Sequence, residues 1–250
     1  MILRTDAPRG VTLRSIVFLA ASMVAFAVLL ALGTWQVNRL HWKEDLIATI
    51  NERVASDPRP LSDVQMRLRS SGDVDYWPVE LEGAFRHEGE RHFFATHRGQ
   101  SGYYVYTPLE LDDGRFILVN RGFVPFERKE PATRADGQVE GRQTIVGLAR
   151  NRLSEKPSVI VPENDPAKNV FYWKDLEVMA QTSGVGTASD YVEFFVDAND
   201  APNSGGLPVG GVTIIDMPNS HLQYAITWYG LAVALAGVMG AWAWRQTRKP

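Results

Sequence analysis

An imidazole and two aromatic rings share one face of a helical stretch late in the chain. In "HLQYAITWYG", His221, Tyr224 and Trp228 fall within about 60° of one another at 100° per residue. Ala225 and Ala232 lie on the same stripe, so the surface beside the imidazole is flat and open. Near the other end of the chain, "GTWQVNRLHWK" puts Trp35, Arg39 and Trp42 on one face by steps of four and three. If the two helices pack together, His221, Arg39 and the tryptophans could line a shared pocket. A flat apolar macrocycle would use such a pocket, because imidazole is an axial ligand for haem iron, indole offers a stacking face and a guanidinium meets a propionate. A histidine at this point also serves as a hydrogen-bonded anchor at a helix start, and these residues alone leave both roles open.

Other residues with chemical potential are more plainly structural. His87, His92 and His97 recur at intervals of five. On a strand, His92 and His97 point to opposite faces, while His87 and His92 could meet across the turn "HEGE"; hairpin and surface positions are expected for the three, with a metal site as the alternative. Arg121 closes the strand "LVNRGFVP", where it could pair with a buried carboxylate or a ligand, and Gly122 suits a positive φ. Asp165 before proline suits a turn, and Asp175 a helix cap. The sequence has no GxSxG elbow, no GxxxxGK[ST] phosphate loop and no HExxH motif. It has no cysteine, which excludes thiol catalysis, CxxC redox work, iron–sulfur ligation and thiolate copper sites.

The elements that must position these residues begin with two uncharged runs, Ser15 to Asn38 and Met217 to Trp244. Each is long enough to cross the roughly 30 Å of bilayer hydrocarbon, and spans are expected over 15–36 and 221–244. The first run is longer than a signal peptide's apolar core of about 7–15 residues, so an uncleaved anchor is expected. The tails 1–14 and 245–250 carry Arg4, Arg9, Arg14, Arg245, Arg248 and Lys249 against Asp6 alone. Positive flanks remain cytoplasmic, which places both tails inside and residues 37–220 outside. Removing the tail charges, +2 and +3, from the formal net charge of −3 leaves this segment at −8. An acidic domain of that kind excludes nucleic acid as an expected partner, and leaves the lipid bilayer as the surface the two spans require.

The outer segment opens with an amphipathic extension of the first span over 37–56, where Trp42, Leu46, Ile50 and Val54 recur every fourth residue. "PLSDVQMRLRSSGDVD" is expected to be a polar connector. Six or seven strands follow: "WPVELEGAF", "RHFFATH", "YYVYTPLEL", "RFILVNRG", "RQTIVGLA", "YVEFFVDA" and "VTIID", with "KDLEVMAQTSG" a short helix ending at Gly184. "DDG" reads as a hairpin turn and "PNSGGLPVGG" as a loop. The expected fold class is membrane α+β, with two transmembrane helices flanking an extracytoplasmic, antiparallel, barrel-like β-rich domain that carries one or two helices.

Four motifs taken together, "LGTWQVNRLHWK", "YYVYTPLELDDGRFILVNRGFVP", "ENDPAKNVFYWKDLEVMA" and "NSHLQYAITWYGLA", resemble the surfeit-locus family of cytochrome c oxidase assembly factors, in order and over nearly the whole chain. The resemblance implies a non-enzymatic chaperone role when haem a enters the catalytic subunit of a haem–copper oxidase, with haem a synthase a further candidate partner. It implies that His221, which opens the second span, is the ligand to haem iron, with Tyr224, Trp228, Trp35 and Arg39 around it. Trp35, Gln36 and Arg39 match family positions whose roles the match does not define. Phe123 stands where the family motif "VNRGWVP" has tryptophan, keeping the ring and losing an N–H donor. The expected location is a bacterial inner membrane, with the mitochondrial inner membrane as alternative. The competing expectation is a cofactor-free scaffold that presents Ala225, Ala232, Ala236 and Gly240 to the oxidase subunit for close helix contact.

Overall fold

The computed structural model describes residues 13–215 and 217–248. The tail charges Arg4, Asp6, Arg9 and Lys249, on which the expected orientation partly rests, lie outside the described residues. The chain divides into two compact units: Ile50–Ile215, and the residues before and after it.

The second of these holds two helices that are long and apolar enough to cross a membrane. Helix α1, Leu13–Val54, is continuous over 42 residues, so the first apolar run and its amphipathic extension form one element. The last helix, His221–Thr247, begins at the predicted histidine. Small residues let the two meet. A Cβ on Gly33 would lie 2.7 Å from the Tyr229 ring, so the ring packs flat against helix backbone. Ala225 and Ala232 are buried on the last helix, as are Ser22 and Gln36 on α1. The Phe18 and Trp242 rings touch at 5.4 Å between centroids. These contacts pair early residues of one helix with late residues of the other, so the helices run antiparallel.

The larger unit is built on one seven-stranded sheet. Its strands are β1 Arg59–Pro60, β2 Pro78–Phe85, β3 Arg91–His97, β4 Gln100–Leu111, β5 Phe116–Pro125, β6 Arg142–Asn151 and β7 Phe194–Ala198. The spatial order is β1-β2-β6-β7-β5-β4-β3, and Gly83–Phe85 of β2 also pair with Leu109–Leu111 of β4. The expected antiparallel sheet is corrected to a mixed one: β7 pairs β5 in parallel through Val119–Val196 and Asn120–Asp197, and β1 pairs β2 in parallel. The DDG turn forms as expected, with Gly114 at φ 81° and Arg115 bound back to Asp113.

Successive residues of the central strands bury opposite faces. Ile117, Val119, Phe194 and Val196 join one apolar cluster, while Leu118 and Phe195 join another. Each cluster is closed by a helix. The expected polar connector is instead α2, Leu61–Ser71, which inserts Val64 into the first cluster with Leu61 and Leu68 beside it and stops at Gly72, φ 71°. Three apolar residues at helical spacing were enough to dock an otherwise polar segment. Helix α3, Leu176–Thr182, seats Leu176 and Met179 in the second cluster; Asp175 caps it by accepting the Val178 N–H at 3.1 Å. The last helix of the chain is α4. The segment expected as a final strand, "VTIID", is irregular over its described residues 212–215. There Thr213 donates its hydroxyl to the Asp197 carboxylate instead of extending the ladder.

Candidate functional site on the helix pair

His221 does not stand alone at the start of α4. Its Nδ1 lies 2.7 Å from Gln36 Oε1 on α1. An amide oxygen only accepts, so the proton of the neutral ring sits on Nδ1 and Nε2 keeps its lone pair. No protein group among the described residues hydrogen-bonds Nε2. Gln36 is nine-tenths buried, and this bond also satisfies its carbonyl. A turn away, the Tyr229 hydroxyl meets Thr34 Oγ1 at 3.1 Å, and that hydroxyl is itself bound to the Leu30 carbonyl. The seam of the helix pair thus carries two polar clamps, Gln36–His221 and Thr34–Tyr229, over an otherwise apolar contact.

The seam fixes where the remaining residues point. On α1 the buried stripe runs through Ser22, Gly33 and Gln36, and Trp35, Arg39 and Trp42 lie roughly 100–160° around the helix from it. On α4 the stripe runs through His221, Ala225, Tyr229 and Ala232, with Tyr224 about 95° and Trp228 about 55° from its centre. Because the helices are antiparallel, both sets fall on the same flank of the pair. That flank is open: Trp35 and Tyr224 are each about half exposed, at 51% and 53%. The Arg39 guanidinium lies 4.9 Å from the centre of the Trp42 ring and 5.9 Å from that of Trp35. It forms no ion pair among the described residues.

The helix pair therefore brings His221, Trp228, Tyr224 and Arg39 to one flank, with Trp35 and Trp42 turned further from the seam. Sequence reasoning left Gln36 without a role. Its signal was present: an amide inside an uncharged run demands a partner, and the nearest polar side chain at the head of the other span is His221. Ala225 and Ala232, expected to face a partner protein, are instead spent on the seam, whereas Gly240 has open space around it.

In the β domain, His87 and His92 meet around a carboxylate, and the expectation of surface positions is corrected. Glu90 is buried and lies 3.8 Å from His87 Nδ1, 3.9 Å from His92 Nε2 and 3.6 Å from Arg121, with Arg134 binding both its oxygens. Burial alone would raise the Glu90 pKa; the neighbouring His87 ring, the Arg134 hydrogen bonds and the charges of Arg134 and Arg121 outweigh it and hold the carboxyl at about 2. Burial lowers His92 to about 4, so it is neutral at physiological pH. Arg121 is the partner of a buried carboxylate, and also donates to the Gly137 carbonyl. His97 stacks near Phe123 instead. Among the described residues no group of three or more His, Asp or Glu side chains, this cluster included, has a geometry that could hold a metal ion. Gly122 has φ 127°, and a Cβ there would strike the Val209 carbonyl.

A mixed-sheet domain preceded and followed in sequence by apolar helices long enough to cross a membrane, with an oriented imidazole opening the second, defines the class of protein, and the candidate site lies on the helix pair. The family model described as "SURF1 family" matches residues 23–233. Surfeit locus protein 1 of Homo sapiens is 40% identical over 220 residues, covering 81% of this chain and 70% of that protein. The Takifugu rubripes protein of the same name is 36% identical over 225 residues, covering 83% and 89%. The SURF1-like protein of Monosiga brevicollis is 36% identical over 223 residues, covering 84% and 81%. The chain belongs to the SURF1 family.

Proposed function

We propose that the chain is a cytochrome c oxidase assembly factor, anchored by α1 and α4 in a bacterial inner membrane with its β domain outside, that holds haem a through His221 and passes it to the catalytic subunit of a haem–copper oxidase. Family membership supports the oxidase. The haem a reading is carried by one observation, the 2.7 Å hydrogen bond between His221 and Gln36. A ring nitrogen that donates to a fixed acceptor sets the tautomer and aims the other nitrogen's lone pair, which is how ligating histidines are oriented in metal sites. The haem iron would supply the acceptor for that lone pair. Trp228 and Tyr224 would offer ring faces to the macrocycle, and the unpaired Arg39 would meet an anionic propionate. An open flank with one protein ligand suits a carrier that must also release its cargo.

Protein purified in detergent from cells that make haem a is expected to carry the haem a absorption spectrum. Gln36→Leu is expected to lower haem affinity by about 10- to 100-fold, the usual cost of losing the group that orients a ligating histidine. Colourless protein from haem-replete cells contradicts the carrier reading. It would favour the cofactor-free scaffold, for which Gly230, Gly237 and Gly240 leave room for another helix.

A further inference from the structure

Apart from the helix pair, the β domain holds a cavity of about 240 Å³ where three of the sequence's separated motifs converge. "FYWKDLE" supplies Lys174, "VNRG" supplies Asn120 and "FFVDA" supplies Asp197. The irregular segment 212–214 covers it, fastened by the Thr213–Asp197 hydrogen bond at 3.0 Å. None of these residues is used by the proposed haem site.

Two donors in this cavity lack acceptors. The Lys174 side chain is about one-fifth exposed and its Nζ pairs with Asp197 Oδ1 at 3.8 Å, beyond hydrogen-bond distance, so it forms no hydrogen bond among the described residues. The Tyr106 hydroxyl, on a fully buried side chain, has no partner. The Asn120 amide beside it donates through Nδ2 to Asp197 at 3.0 Å and accepts through Oδ1 from the Gly122 N–H at 3.1 Å. Asp197 in turn holds Asn120, Thr213 and, at 3.7 Å, Arg150. Of the charged groups that line the cavity, Lys174 and Arg150 are cations and Asp197 is the one anion. A buried donor without a hydrogen-bond acceptor costs free energy that a ligand can recover.

The walls are flat and apolar. The Phe93 and Tyr104 rings lie nearly parallel, 6° apart with centroids at 6.3 Å, and form one continuous surface. Tyr76 completes the rim with its ring 4.2 Å from the Arg150 guanidinium, and its backbone is held at φ 65°, a left-handed conformation that a bulky residue adopts only when its surroundings enforce it. The volume lies just below the 300–1,000 Å³ usual for drug-sized ligands, which suits a single ring or a short chain.

We propose that this cavity binds a small organic carboxylate on a flat apolar stem, the carboxylate accepting from Lys174 Nζ and the Tyr106 hydroxyl and the stem lying against Phe93 and Tyr104. An incoming cation would meet Lys174 and Arg150. A neutral ring would leave both donors unsatisfied. Burial lowers the Lys174 pKa and Asp197 opposes that shift; a bound carboxylate acts in the same direction as Asp197 and favours the charged amine.

The test uses full-length protein in detergent, with benzoate as the probe and benzamide as its uncharged analogue, read by calorimetry. Benzoate is expected to bind saturably, and benzamide about tenfold or more weakly, as befits loss of a charge-assisted hydrogen bond. Lys174→Met is expected to weaken benzoate binding by a similar factor, and Tyr106→Phe by severalfold. Independently of any variant, benzoate is expected to slow acylation of the Lys174 amine in wild-type protein, read by peptide mass spectrometry. No saturable benzoate binding, equal binding of benzamide, or an unchanged acylation rate would overturn the proposal. Because the cavity lies outside the helix pair, these results are independent of whether haem a is bound.

Discussion

Glu90 and His92 share a buried cluster but respond to acid over different ranges. His92 titrates near 6.5 when unfolded and at about 4 when folded. The unfolded chain therefore binds the extra proton first, and stability falls as pH drops from 6.5 toward 4. Glu90 has its pKa depressed from 4.5 to about 2, so its contribution is present above 4.5 and is lost as pH falls through that interval. Each shift corresponds to stability on the order of 3 kcal/mol. Because the two groups are neighbours, their contributions are not additive. Thermal unfolding of wild type is expected to weaken in two stages, beginning below pH 6.5. In His92→Leu the first stage should vanish while the second, below pH 4.5, persists. A wild-type melting temperature that stays flat from pH 7 to pH 4.5 would rule this out. The imidazole of His221 is held differently: Gln36 binds its Nδ1, and no described residue hydrogen-bonds its Nε2.

Helix elements carry the site through their contact stripes. The Gly33 backbone accepts the Tyr229 ring, and this approach keeps Gln36 within reach of His221. Replacing Gly33 with leucine is expected to separate the seam. The chain has no cysteine of its own, so a pair introduced by Phe18→Cys and Trp242→Cys reports the packing directly. That pair should form a disulfide readily, and the added Gly33→Leu should reduce its yield severalfold; an undiminished yield would show that the ring does not set the approach. Much of this element-level organisation was legible in the sequence. Two uncharged runs announced the two long apolar helices, the DDG turn and the Asp175 cap formed where expected, and Gly122 took its positive φ. Helix α2 was not legible because its polar residues outnumber the three apolar ones, Leu61, Val64 and Leu68, that dock it. The final strand failed for a related reason: the alternation of "VTIID" is compatible with a ladder, but the Asp197 carboxylate claims Thr213.

At the scale of the whole molecule, the sequence pattern conveyed a β domain between two membrane-length helices, whereas the parallel β5–β7 pairing joins residues 77 apart and leaves no local mark. Gln36 left a local mark, an amide within an uncharged run, but its partner lies 185 residues along the chain. Long-range pairing of polar groups is set by three-dimensional packing, and only the family resemblance had singled out the position. The division of labour that follows is a β domain with its own cavity and a helix pair that presents the imidazole. The most direct test of the haem assignment is titration of haem a into detergent-solubilised wild type and His221→Ala, followed by absorption, with thermal unfolding measured on both. A saturable band shift in wild type that is absent from His221→Ala, at unchanged unfolding temperature, is the predicted result. An identical band shift in the two proteins would contradict it.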